Sequence, residues 1–363
     1  MSLVFTESWD GADFLNWTSV TGQYQTVADR YTGDALGLAM SAALSGGTQS
    51  ETQSKTLSAS YQHATMILGF AFNPTNSNAA NYILATFYDP SLNALATAWY
   101  DATSAANKIH IRLGTSVGGT LLATTSTNAF SSLNIWYYVE IKYTVGSTGS
   151  VTIRINELTN GTASGIDTRN GTGATVVGAF DIRLQNVSNS ISVWSLDDFY
   201  VCNGAGSVNN NFLGDVRVLR LRPNAAGSVS NWTPGGAGAD NTNHYENVNN
   251  AGFLTAPYVS SSTDEQSENY GMTDLPATAT GGVYGVVQRT QAWETFAEVG
   301  ICSTISDGVS EIEGPEVFLT GATPSNSATG TFYDVFETKP SGGAWDTSTI
   351  NAMLCGIRVK DIT

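Results

Sequence analysis

Charge is scarce in this sequence. Lys, Arg, Asp and Glu together make up 13% of the 363 residues, about half of the roughly 25% found in ordinary soluble proteins, so hydroxyls and amides must keep the surface wet. Positive charge is scarcer still, with 15 bases against 31 acids and a formal charge of −16. Neutralising phosphate needs clustered Lys and Arg, and without such clusters no nucleic-acid partner is expected. The same repulsion disfavours an anionic membrane surface, and no apolar run nears the roughly 18 residues of a spanning helix, so no membrane insertion is expected.

Cysteine and histidine are also few. Cys202, Cys302 and Cys355 are odd in number and far apart, which fits neither a disulfide framework nor a CxxC metal site, and buried free thiols are expected. His63, His110 and His244 have no partner at metal or triad spacing. Neither a nucleophile elbow nor a phosphate-cradling glycine loop accompanies them, so they are expected at the surface and no cofactor or metal is expected. The opening stretch MSLVFTESWDG lacks a basic segment followed by an apolar one, from which synthesis and folding in a cytoplasm are expected.

What is present is period-two alternation in short runs broken by Gly, Asn, Ser and Pro. The spacing predicts strands over 65–73, 82–88, 95–100, 108–113, 135–145, 151–155, 180–184 and 191–201. In KIHIRL, Ile109, Ile111 and Leu113 fall on one face and Lys108, His110 and Arg112 on the other, so one side is core and the other meets solvent or a partner. Many strands with polar turns and almost no helical periodicity imply an all-β chain of antiparallel sandwiches.

The length suits two domains. The stretch ISVWSLDDFYVCNGAGSVNNNFLGDVRV, residues 191–218, joins two apolar runs through Gly, Asn and Ser. It divides the chain into a β-sandwich over 1–203, a hinge over 204–215 and a second, smaller sandwich over 216–363. VRVLRLR at 216–222 changes phase between Val218 and Leu219, predicting a strand with a β-bulge near Val218. The polar stretch 225–280 is too long for a loop, so short strands are expected near Tyr245 and Tyr258, with an exposed acidic turn over 263–268. Further strands are expected over 282–294, 296–304, 317–319 and 331–338. A short helix capped by Asp346 or Thr347 should follow, with Ile350, Met353 and Leu354 on one face and Gly356 stopping it. A last strand covers 357–362.

Three sets of side chains merit weighing for chemistry. Glu311 and Glu313 share a strand face, as paired glycosidase carboxylates do, but Pro315 breaks strand pairing and a solvated acidic turn is expected. Asp197 and Asp198 end a strand, where carboxylates can hold calcium; without a D-x-D-x-D-G pattern, hydrogen bonding or blunting of a sheet edge is expected instead. Trp99, Tyr100, Asp101 and Asn107 surround a polar turn, where an exposed ring could stack on a sugar with Asp101 and Asn107 supplying hydrogen bonds. They are the candidate glycan-binding residues.

The order of parts, an N-terminal sandwich closing with WSLDDFYVCNGAGSVNNNFLGDVRV, then NWTP, YVSSST and PSGGAWDTSTINAM, resembles virion structural proteins of tailed bacteriophages. Those proteins often open with a concanavalin A-like jelly roll, a fold also similar to lectin and glucanase domains. The resemblance implies a non-enzymatic component of a phage particle, a capsid decoration, head fibre or tail-associated protein, assembled in the bacterial cytoplasm. It implies other virion proteins and copies of itself as partners, with adhesion to a host-surface glycan. The alternative is a concanavalin A-like carbohydrate-binding protein or glycanase, although neither the lectins' metal-ligand pattern nor the glucanases' carboxylate pattern is present in the first domain.

Overall fold

The computed structural model describes residues 2–9, 17–22, 24–28, 30–31, 38–42, 50–75, 80–103, 106–188, 191–192, 194–249, 257–294, 299–319 and 331–362. The described chain divides into two compact units, the first running to Val218 and the second starting at Leu219.

Alternating apolar residues give the first unit β1 (Leu3–Glu7), β2 (Ser19–Thr21), β3 (Tyr24–Ala28), β4 (Leu38–Ala42), β5 (Ser50–Thr56), β6 (Thr65–Pro74), β7 (Asn81–Tyr88) and β8 (Ala94–Asp101). There follow β9 (Lys108–Leu113), β10 (Leu121–Thr124), β11 (Tyr137–Thr144), β12 (Gly149–Ile155), β13 (Leu158–Ile166), β14 (Ala179–Ser188), β15 (Ile191–Ser192) and β16 (Trp194–Asn203). Among the described residues they form two eight-stranded sheets. The back sheet runs β13-β12-β11-β6-β16-β4-β3 with β1 on β16, and the front sheet β10-β9-β8-β7-β14-β5-β2 with β15 on β14. Neighbours such as β6 and β16 are remote in sequence, as in the jelly roll expected of a concanavalin A-like sandwich.

Rings from the two sheets meet between them. Phe72 of the back sheet lies 5.2 Å from Tyr100 of the front and 5.0 Å from Phe130, while Phe87 of the front stacks on Tyr143 of the back at 4.8 Å. Each such fully buried side chain contributes about 1.5–3 kcal/mol. Cys202 is buried as a free thiol, and so are Cys302 and Cys355 of the second unit.

The back sheet's outer face is closed by the chain itself. Tyr200 lies flat over Gly69, where an added Cβ would come within 2.0 Å of its ring. Its hydroxyl donates to Glu140 Oε1 at 2.5 Å. The Gly214 amide donates to the same oxygen at 2.8 Å, and the Arg154 guanidinium stands 3.1 Å from Oε2. The segment expected as a hinge therefore carries anchoring contacts to the first unit, with Phe212 also lying under Arg154 at 4.7 Å. Pairing between β16 and β6 slips between Asp197 and Tyr200, where Asp198 takes a positive φ of 50°. The bulge expected near Val218 has no counterpart, since its strand does not form. Residues 216–222 form no strand, because the Val218 amide goes to Asp198 Oδ1 at 2.8 Å and the Arg222 amide to Thr273 Oγ1 at 3.1 Å.

The second unit comprises β17 (Pro223–Ser230), β18 (Thr233–Gly235), β19 (Tyr258–Ser260), β20 (Ser267–Met272), β21 (Val286–Gln291), β22 (Val299–Ser306), β23 (Glu311–Glu313), β24 (Val317–Leu319), β25 (Thr331–Phe336), α1 (Thr347–Asn351) and β26 (Leu354–Ile362). A six-stranded sheet, β17-β20-β26-β22-β23 with β24 on β22, accompanies the pairs β18-β19 and β21-β25. Trp345, Ile350, Met353, Ile305 and Phe336 pack its core. Asp346 caps the helix by accepting the Thr349 amide at 2.9 Å. Leu354 and Gly356 already belong to the last strand, because Ala352 ends the helix sooner than Gly356 would. Tyr245 lies in a 3-10 turn, not a strand, and Glu268 is buried in β20 instead of exposed on a turn. The expected strand over 296–304 begins outside the described residues.

Gly69→Ala is expected to lower unfolding free energy by about 1–3 kcal/mol, the usual cost of overpacking, measured by urea denaturation. Unchanged stability would mean that the Tyr200 ring can leave the strand at no cost.

Candidate functional site

The front sheet's outer face carries the polar half of each alternating strand. Register places Arg112 opposite Thr97, Thr97 opposite Thr86, and Thr86 opposite Asp181, one row across β9, β8, β7 and β14. The next row pairs His110 with Trp99, and beyond it Lys108 faces Asp101. Trp99 therefore belongs to this face, not to the seam between the sheets.

A face open only to water would leave such groups wet, yet here they are buried. Thr97 and Thr86 are 0% exposed, Asp181 1%, His110 5% and Trp99 8%. Some are satisfied locally: Tyr88 donates to Asp181 Oδ2 at 2.6 Å, Arg183 Nη2 to the same oxygen at 3.1 Å, and Arg112 Nη1 to the Gly119 carbonyl at 2.8 Å. Others are not. Trp99 Nε1, His110 Nε2, Arg112 Nε, Arg183 Nε and Asp181 Oδ1 are buried with no hydrogen-bond partner among the described residues. Leaving a buried polar atom unpaired costs about 1–3 kcal/mol, and these five are covered by the chain itself.

Titration follows the same burial. Desolvation lowers the His110 pKa to about 4, helped by the charges of Arg112 and Lys108 and opposed by Asp101. Desolvation also raises Tyr88 to about 12, with Asp181 adding to it. Near neutrality the face thus holds a neutral imidazole between two cations and a protonated phenol.

The glycan-binding residues expected from the sequence are divided by the structure. Tyr100 is fully buried and points into the seam, its hydroxyl donating to Asn107 Oδ1 at 3.3 Å. Alternation along β8 puts it on the opposite face from Trp99, so its ring offers no surface to a sugar and Asn107 is spent holding it. Asp101 lies on the outer face and accepts the Thr103 amide at 3.2 Å; residues 104–105 of the turn fall outside the described residues. His110, Arg112, Asp181 and Arg183 were missed as site residues, although the alternation of KIHIRL had already separated His110 and Arg112 from the core. His110, expected at the surface, is buried, with Trp99 opposite it on β8.

Glu311 and Glu313 do share a face, but Arg358 bonds both and Lys360 lies 3.2 Å from Glu313. Pro315 stands between β23 and β24, each pairing separately with β22. Asp197 and Asp198 are engaged by Arg30 and by backbone amides. No cluster of three metal-ligating side chains occurs among the described residues.

Comparison with known protein families finds no match, and comparison with curated protein sequences finds none. Among solved structures, the chain is similar to an endo-β-1,4-glucuronan lyase from the fungus Trichoderma reesei, at 14% identity and a TM-score of 0.40, over 55% of this chain and 94% of that one. It is also similar to a galectin-like protein of unknown function from Bacillus subtilis, at 13% identity and TM-score 0.39, over 56% and 96%. A carbohydrate esterase from the Shiga toxin-encoding bacteriophage phi24B matches at 15% and 0.35, over 51% and 88%. Likeness at this level transfers no activity. It does correct one expectation: two of the three are enzymes, so this architecture offers no ground for a chain without catalytic activity, and that expectation is withdrawn.

With its pKa lowered to about 4, folded His110 stays neutral where an unfolded histidine, near 6.5, already binds a proton. The unfolded state therefore takes up the proton first, and this residue's contribution to stability falls as pH drops from about 6.5 towards 4. An NMR titration of the His110 ring is expected to show a midpoint near 4; a midpoint near 6.5 would place the ring in water.

Proposed function

We propose that the first unit binds carbohydrate on the outer face of its front sheet. The observation that supports this is the set of partly exposed polar side chains, Asp101, Lys108 and Arg112, that borders Trp99 and His110 on this face, a face that the sandwich core does not need. Sugars suit such a face: their hydroxyls both donate and accept, so they can meet a carboxylate and cations together.

A second reading places this sandwich on a phage particle, beside other virion proteins and in several copies. It rests on the resemblance carried by residues 194–234 and 258–263. The two readings are compatible, since many copies on one particle turn weak glycan contacts into avid attachment to a host surface.

Titration against a panel of bacterial surface glycans is expected to find a binder for which Trp99→Ala and Asp181→Asn each weaken affinity about ten-fold or more, roughly 1.4 kcal/mol. Glu311→Gln, in the second unit, should leave it unchanged. Full affinity in both front-sheet variants, or no binder in the panel, would overturn the reading. Antibody labelling of particles in the electron microscope tests the setting: regular label on head or tail is expected, and unlabelled particles would refute it.

A further inference from the structure

We infer that Asn170 is a site of spontaneous covalent modification: its side-chain amide is displaced by the backbone nitrogen of Gly171, and the acidic residue left behind releases the turn over 169–172 from β8. No ligand, metal or partner is required, only water.

The chemistry belongs to the dipeptide. When the backbone nitrogen that follows an asparagine loses its proton, its lone pair can attack the side-chain Cγ. The N–Cγ bond forms, the Cγ–Nδ2 bond breaks, and Nδ2 leaves as ammonia with the proton returned to it through water. Water then opens the cyclic imide at one of its two carbonyls, giving aspartate or its β-linked isomer, and no step is a redox step. Glycine in the second place favours the attack because it puts no Cβ beside the attacking nitrogen. Three Asn-Gly pairs occur in the chain, Asn160-Gly161, Asn170-Gly171 and Asn203-Gly204, and the fold treats them differently.

Asn203 is buried and its side chain is tied at both ends. Nδ2 donates to the Tyr61 carbonyl at 3.1 Å, Oδ1 accepts the Ala205 amide at 3.0 Å, and the Gly204 amide donates to the Thr65 carbonyl at 3.1 Å. Asn160 Oδ1 accepts from the Ser126 amide at 2.7 Å and from its hydroxyl at 3.1 Å. Gly161 pairs with Ile153 in the ladder and is backed so closely that a Cβ would stand 2.5 Å from the Thr124 carbonyl oxygen. In both pairs the nitrogen reaches Cγ only after the strand opens locally, and opening costs free energy.

Asn170 and Gly171 lie in an exposed turn between β13 and β14. The Gly171 amide has no hydrogen-bond partner among the described residues, and nothing stands within 4 Å of where its Cβ would be. Asn170 Oδ1 accepts no bond among them either, so the side chain has one tether, from Nδ2 to the Ala94 carbonyl at 2.8 Å. The nitrogen that makes this tether is the one that leaves. An ionised aspartate is acceptor-only, so its carboxylate meets the Ala94 carbonyl with no proton to share, and the turn loses its bond to the start of β8.

The test follows the three pairs by peptide mass spectrometry after the whole protein is held at mildly alkaline pH, native or in urea. In urea similar rates are expected, because only the dipeptide then acts. In the native protein Asn170 is expected to convert at least about ten-fold faster than Asn160 and Asn203, the protection given by about 1.4 kcal/mol of local opening. Asn170→Gln, whose longer side chain disfavours the ring, should remove the first acidic form that ion-exchange chromatography separates from aged native protein. Asn170→Asp should speed hydrogen exchange several-fold at the Thr172 amide, which donates to the Arg169 carbonyl within the turn. Conversion of Asn170 no faster than the other two in the native protein, or an acidic form that appears equally fast in Asn170→Gln, would overturn the site. Unchanged exchange at Thr172 in Asn170→Asp would overturn the release from β8.

Discussion

Dry contact between the two sheets of the first unit is the constraint on which the rest depends. Rings from β6, β7, β8, β11 and β16 meet in the seam, where Tyr100 lies 5.9 Å from Trp194 and Phe87 stacks on Tyr143. Once those rings face inward, the period of two in each strand decides every other side chain. Asp101, Trp99 and Thr97 must then face out because Tyr100 and Ala98 face in. The polar face is thus a consequence of the core, and its composition is free to serve something else.

The two outer faces use that freedom differently. On the back sheet, Glu140 is fully buried; its Oε1 receives the Tyr200 hydroxyl and the Gly214 amide, while Oε2 has the Arg154 guanidinium 3.1 Å away but no hydrogen bond. Two donors and a neighbouring cation offset part of its desolvation cost. On the front sheet the corresponding accounts stay open, with donors on Trp99, Arg112 and Arg183 still lacking an acceptor. Both faces bury polar groups, and they differ in how many of those groups the chain itself bonds.

Acidic pairs illustrate the same distinction in the second unit. Glu311 and Glu313 look on paper like a catalytic pair, and they do project to one side of β23. Arg358 and Lys360 on β26 answer both of them, so the group is an exposed ion network with modest energetic weight. Spacing along one strand could not reveal this, because the answering charges come from a strand more than forty residues away.

The sequence alone determined which stretches are strands and which side of each is apolar, since both follow from local alternation: Lys108–Leu113 and Val317–Leu319 lie where the pattern put them. It also determined the acidic surface and the free thiols. Short or polar strands such as β13, LTNGTASGI, were not legible, because pairing with β12 holds them in place and not their own apolar content. Nor could local pattern show that residues 204–218 are anchored on the back sheet, since their partners Glu140, Tyr200 and Asp198 act at a distance. Tertiary structure decided the site as well. Asp181 joins Thr97 and Arg112 in one row only because β14 inserts beside β7, bringing residues some seventy positions apart in sequence onto one face. That placement depends on which strands pair, a choice made by packing over the whole sandwich and written in no single stretch of the chain.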